Sequence, residues 1–154
     1  MRQPKTMREE FSRRKLRLQL RHLAEMRRAV AAAAPEEGCG LVLGIGEQGL
    51  EVVPIENVIH SPARFRLEGA AQVKAMLDAA QRGWELVAIF HSHPTGPTHP
   101  SPSDLAEAAY PDALYLIWAP GPGKRWECRA FELRGISLTA GASSFLPVEV
   151  VSEE

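Results

Sequence analysis

Two periodicities divide the chain. Short, nearly unbroken apolar runs at residues 39–45, 87–90 and 114–118 are bounded by turn-forming residues, which predicts buried strands. Residues 50–55 follow a turn at 46–49 and predict a hairpin partner for the first run; residues 126–133 follow a turn at 120–124 and predict a further strand. Helical spacing instead marks residues 15–30, where Leu16, Leu20, Leu23, Met26 and Val30 form one apolar stripe. Alanines at 31–34 carry that helix on to Pro35, whose ring disfavours helix at the preceding residue. The expected opening is therefore a basic amphipathic helix over residues 9–34, with residues 1–8 disordered ahead of it. Val73, Met76, Leu77 and Ala80 predict a second helix over residues 70–82, with Gly83 as its C-terminal cap. A third opens at Pro102, with Ser101 or Ser103 as the capping residue. Residues 57–68 read as irregular, with Pro62 breaking them and Arg64, Phe65 and Arg66 offering a short strand. Residues 135–154 read as a mixed segment with one edge strand and a frayed acidic end. Strands interrupted by two or three helices predict a single α/β (mixed α+β) domain over residues 9–154, a central mixed β-sheet flanked by helices.

Composition adds bounds to this picture. A chain of 154 residues is long enough for one substantial core and short for two domains. No apolar run approaches the ~20 residues that cross a bilayer, and no signal-peptide core opens the chain. A cytoplasmic location without a membrane partner is the expectation. Cys39 and Cys128 are too few for a disulfide framework and read as small core residues, although a pairing between them stays open. The net charge of −1 conceals an asymmetry, since residues 1–30 carry ten Lys/Arg against three Asp/Glu. That excess reads as the solvated face of a docked helix. A nucleic-acid arm is disfavoured, because no aromatic residue interleaves the arginines from Arg13 to Arg28.

The chemistry concentrates after the run at 87–90. His91 and His93 follow it directly, and at a spacing of two their side chains leave one face of an extended strand. A Pro/Gly-rich loop then leads to Ser101 and Asp104. Two neutral imidazoles and one carboxylate are a usual catalytic zinc set, with a fourth position left for water. Asp104 is the third candidate ligand. His99 is a further histidine in the loop, while His22 and His60 lie outside ligand spacing. Ser92 should point away from the metal. The His-Glu-x-x-His helix and the zinc-deaminase signature are both absent.

The pattern His-x-His, seven residues, Ser, two residues, Asp resembles the JAMM (MPN+) metalloprotease signature, here His91, His93, Ser101 and Asp104. That family also carries a glutamate in a Pro-x-Glu-x-x-Gly context upstream, which Pro35 to Gly40 matches with Glu37 at the glutamate position. Glu36 is its neighbour and rival, but only one of two adjacent side chains can reach the metal. The resemblance spans roughly residues 20–135. It implies a cytidine-deaminase-like JAMM/MPN fold and one Zn2+ per chain on His91, His93 and Asp104. It also implies Glu37 as general base and Ser101 as oxyanion donor.

The family resemblance further implies cleavage after the C-terminal Gly-Gly of a ubiquitin-like protein, its tail bound as an added strand. The insertions that larger members use for ubiquitin are reduced here to residues 57–68 and 119–125, which favours a compact prokaryotic type acting on a sulfur-carrier protein. Arg64, Phe65 and Arg66 are the candidate substrate-binding residues on that shortened segment. The leaving group is a lysine or a cysteine carried as an adduct. A non-catalytic scaffold or binding module is the reading from a different class, opposed by the complete set of five residues. Whether two copies form a homodimer stays open.

Overall fold

A computed structural model describes residues 10–137 and 139–154. In chain order its elements are β1 (Lys15–Gln19), α1 (Leu20–Ala33), β2 (Cys39–Ile45), β3 (Gln48–Ile55), α2 (Gly69–Gln81), β4 (Glu85–Ser92), α3 (Pro102–Glu107), β5 (Leu114–Pro120), β6 (Trp126–Arg134) and β7 (Ser144–Glu153). The strands form one mixed sheet in the order β1-β3-β2-β4-β5-β6-β7, closed into a barrel. The β2–β3 hairpin, the β2–β4 pair, β5–β6 and β6–β7 are antiparallel; β4–β5 and both pairings of β1 are parallel. This is the mixed α+β single domain that the pattern predicts, with closure added.

Closure comes from the largest departure from the sequence reading. The expected helix over residues 9–34 begins only at Leu20, and Lys15–Gln19 is a strand. Leu16 and Leu18 alternate with charged residues and are both buried, a period of two hidden inside a longer period near 3.6. Leu20, which the helical stripe would bury, is 49% exposed. His22 fixes the switch: its Nδ1 accepts the Gln19 N–H at 3.0 Å, while its Nε2 sits 3.2 Å from the Leu50 carbonyl. β1 runs parallel to β7 from Lys15↔Glu149 to Gln19↔Glu153 and touches β3 at Arg17↔Gln48. The C-terminal end expected to fray is therefore a ten-residue strand paired on both sides. The expectation for residues 1–8 lies outside the described residues. Leu16→Ala should cost about 2–5 kcal/mol of stability, whereas Leu20→Ala should stay within ~0.5 kcal/mol. Chemical denaturation of both variants checks this, and equal losses would restore the helix.

The second helix is also turned from its expected face. Val73 and Leu77 are 57% and 60% exposed, and Ala75 and Ala79 are buried instead, with Met76 packed beside them. Two apolar stripes coexist in this sequence, and the alanine stripe permits a closer approach to the sheet. Ala75 and Ala79 join Leu41, Ile89, Ile117 and Phe131 in one core cluster. Met26 and Val30 of α1 join Leu16, Leu18, Ala88, Phe90, Leu116 and Trp118 in the other. Ala88, Ile89 and Phe90 of β4 thus feed opposite faces of the sheet in turn. Gly40 of β2 is required by the same packing, since a Cβ there would meet the Phe90 ring at 2.5 Å and the Val53 carbonyl at 2.4 Å. Arg64, Phe65 and Arg66 do not form a strand. Their segment pairs through one isolated bridge, Asn57↔Leu67, and is held besides by backbone and Asn57 side-chain hydrogen bonds. Among the described residues no helix is long and apolar enough to cross a membrane.

Candidate metal centre

The alternation of β4 carries through to the site. His91 pairs with Cys39 of β2 and Ile117 of β5, and the ladder extends one step further through the His93 N–H, which donates to the Trp118 carbonyl at 2.7 Å. Both histidines therefore leave the same side of the strand end. Ser92 faces the other way, as expected, and its hydroxyl accepts the Gly38 N–H at 2.8 Å while its own N–H donates to the Gly38 carbonyl at 2.9 Å. That pair of bonds fastens the segment carrying Glu37 beside the histidines. The Glu37 N–H in turn donates to the Ser61 carbonyl at 2.9 Å, and Asn57 Nδ2 donates to the Glu37 carbonyl at 3.0 Å.

Asp104 reaches the same point through the capping geometry of α3. Ser101 is the N-cap: its hydroxyl accepts the Asp104 N–H at 3.1 Å, and its own N–H donates to Asp104 Oδ2 at 2.9 Å. The cap turns the carboxylate back toward the strand end. His91 Nε2, His93 Nε2 and Asp104 Oδ2 then form a triangle with sides of 3.0–3.1 Å. With Glu37 added, one ligand atom from each of the four residues lies within 4.8 Å of the others. His91, His93 and Glu37 are buried to 7% exposure or less.

The electrostatics fit a cation. Burial works against charge on Asp104, but hydrogen bonds from His91 and His93 outweigh it and hold its carboxyl below the usual range. For His93, burial favours the neutral ring, yet contact with Asp104 and the Pro97 carbonyl raises its pKa. His91 is fully enclosed, and burial lowers its pKa in spite of Asp104. Burial, far more than any neighbour, pushes Glu37 up to about 8. Its Oε1 is buried without a hydrogen-bond partner among the described residues. Two imidazole nitrogens turned on one carboxylate oxygen, beside an orphaned carboxyl oxygen, is a donor set that a divalent metal satisfies.

The other candidates resolve by position. Glu36 faces away, with an oxygen 3.1 Å from His60 Nδ1, and Glu37 is the one of the pair that lies beside the histidines. His60 sits exposed between Glu36 and Glu56. His99 stands on the rim of a cleft of about 290 Å3 lined by Glu37, Pro62, Ala63, His93, Gly96, Pro97 and Ser101, its ring parallel to Phe145. Cys39 and Cys128 are both free thiols, each pushed by burial up to about 12. Arg64 forms an ion pair with Glu107 of its own chain. Phe65 stacks on His91, and Arg66 lines a neighbouring cleft of about 360 Å3 with Phe65 and Tyr110. Asn57 is the residue that sequence reasoning missed. Nothing in its neighbourhood marks it except an Asn preference for turns.

Residues 19–131 match the family model described as prokaryotic homologs of the JAB domain. Among curated relatives, a probable TtuB-protein conjugate cleaving protease of Thermus thermophilus is 40% identical over 57% of this chain and 60% of its own length. A CysO-cysteine peptidase of Mycobacterium tuberculosis is 32% identical over 77% of this chain and 80% of its own, and a desampylase of Pyrococcus furiosus 30% over 80% and 88%. A protein of Desulfitobacterium hafniense solved in solution superposes with a TM-score of 0.76 at 29% identity, covering 90% of this chain and 93% of that one. A JAB1/MPN domain protein of Archaeoglobus fulgidus shares the fold at a TM-score of 0.50 and 16% identity, over 91% of this chain and all of the other. With the family model matched across most of its length and its fold shared with the solved structures, this chain belongs to the prokaryotic JAB-domain family.

Proposed function

We propose that the protein is a zinc-dependent peptidase or isopeptidase that cleaves after the C-terminal Gly-Gly of a ubiquitin-like or sulfur-carrier protein. One observation carries this reading: Glu37, His91, His93 and Asp104 converge at a buried point beside a cleft. His91, His93 and Asp104 would hold the ion. When bound, zinc there supplies Lewis-acid polarisation of a carbonyl and acidifies water near neutral pH.

The remaining work falls to the chain. Glu37 takes the proton of the attacking water at a carboxylate oxygen and passes it to the leaving amine. The Ser101 hydroxyl accepts the Asp104 N–H and lies 3.0 Å from the Ser103 hydroxyl; with Ser103 donating in that pair, the Ser101 proton is left to donate toward the carbonyl oxygen of a substrate. Pro62, Ala63, Gly96 and Pro97 line the cleft with little side-chain bulk, which suits a tail of glycines. Arg64 is committed to Glu107, so Arg66 is the freer of the two arginines for an acidic carrier.

The relatives named for TtuB-protein conjugates and for CysO-cysteine suggest two kinds of leaving group, a protein and a cysteine. The discriminating experiment uses matched carrier fusions, one ending Gly-Gly and one Ala-Ala ahead of the same leaving group, each as a lysine isopeptide and as a cysteine adduct. Gly-Gly substrates should be cleaved at least about tenfold faster, as a ~1.4 kcal/mol preference requires. Equal rates would replace the carrier reading with a general peptidase. No cleavage of any fusion by zinc-loaded protein would favour a scaffold.

A further inference from the structure

The two histidines of the centre are held differently. His93 Nδ1 lies 2.6 Å from the Pro97 carbonyl, so its N–H donates there and Nε2 keeps a lone pair for a ligand role. His91 Nδ1 is buried and has no hydrogen-bond partner among the described residues. A metal-binding histidine almost always has one, because rotation about the ring torsion is otherwise broad. Something else must fix the His91 ring.

Phe65 is placed to do so. Its ring lies over His91 with centroids 4.4 Å apart and planes 19° from parallel. Phe65 is fixed in turn by the buried side chain of Asn57. Asn57 Nδ2 donates to the Arg64 carbonyl at 3.0 Å, and Oδ1 accepts the Arg66 N–H at 3.1 Å, so Asn57 grips the backbone on either side of Phe65. The same Nδ2 donates to the Glu37 carbonyl. One amide thus sets both the face that covers His91 and the backbone that carries Glu37.

We propose that Phe65 is a positioning residue for the metal centre: held by Asn57, its ring fixes the plane of His91 so that Nε2 faces His93 and Asp104, in place of the missing Nδ1 hydrogen bond. This rests on the metal-dependent reading above. It removes Phe65 from the substrate-binding candidates and gives the irregular segment at 57–67 a task inside the molecule.

The test measures zinc affinity of the full chain by competition with a chelator of known strength. Beside it, the visible absorption bands of the cobalt-substituted protein report ligand geometry. Phe65→Ala and Phe65→Leu should each weaken zinc by about 10–100-fold, the usual effect of losing a partner that orients a ligand, and should shift the cobalt bands. Phe65→Tyr and Phe65→Trp keep a flat face and should restore both. Val58→Ala, an exposed change in the same segment, should alter neither. Melting temperatures of the metal-free proteins separate loss of folding from loss of affinity. Wild-type affinity and bands in Phe65→Leu would overturn the positioning role alone, as would failure of both aromatic variants to rescue at wild-type melting temperature. Wild-type protein that takes up no zinc would overturn the metal reading, and this inference with it.

Discussion

Glu37→Gln should lower conjugate cleavage by about 10²–10⁴-fold, the range that a general base contributes, while the protein still binds about one zinc per chain. Glutamine keeps the shape of the side chain but cannot take a proton. On the proposed assignment His91, His93 and Asp104 would supply three ligands without it, so metal content and the melting temperature of the zinc-loaded protein should stay near wild type. Glu36→Gln should leave the rate unchanged, since that carboxylate lies against His60 at the surface. The metal-free proteins should differ in a second way. Burial raises Glu37 from its ordinary value of 4.5 to about 8, so the wild type loses stability relative to Glu37→Gln as pH climbs through that interval. The variant's advantage should be absent below pH 4.5, grow up to pH 8 and then level off. Turnover, elemental analysis and chelator-treated melting curves check the three parts. Loss of zinc in Glu37→Gln would make Glu37 a ligand and not the base.

His91→Ala should abolish both metal uptake and cleavage. Its Nε2 is one corner of the triangle, and His93 and Asp104 alone are two ligands where a catalytic site uses three. Because a ligand bound only to the folded state stabilises it, zinc at about 100 times its dissociation constant adds ~2.7 kcal/mol to the wild type. The same zinc should add nothing to His91→Ala. Melting temperatures with and without zinc, beside elemental analysis, give the comparison. A His91→Ala protein that keeps stoichiometric zinc would place the metal elsewhere.

What could be read from the sequence was mostly local. His91 and His93 follow a buried run with a spacing of two, and Ser101 and Asp104 form a cap whose geometry is confined to four residues. Each such group is oriented by its own backbone, while the convergence of the two with Glu37 was what the family resemblance implied. Two helical stripes misled because two periods overlapped. Leu16, Leu20 and Leu23 satisfy a helix, yet Leu16 and Leu18 satisfy a strand, and pairing with β7 decided between them. In α2 the larger side chains, Val73 and Leu77, suggested the buried face, but the sheet took the alanines. Phe65 and Asn57 were beyond reach for another reason. Their contacts with His91 and Glu37 cross 26 and 20 residues of sequence through an irregular segment, where no repeat predicts which side chain turns inward.

The parallel pairing of β1 with β7 has a mechanical consequence. In this ladder the chain enters at the Lys15↔Glu149 end and leaves at the Gln19↔Glu153 end. A pull applied through residues 15 and 153 drives the two strands past each other along their length, and all five paired positions resist at once. An antiparallel pair at the same place would open like a zip, one bond after another. Stretched between those points, the barrel should yield only when this seam slips, and after that the sheet has lost its closure.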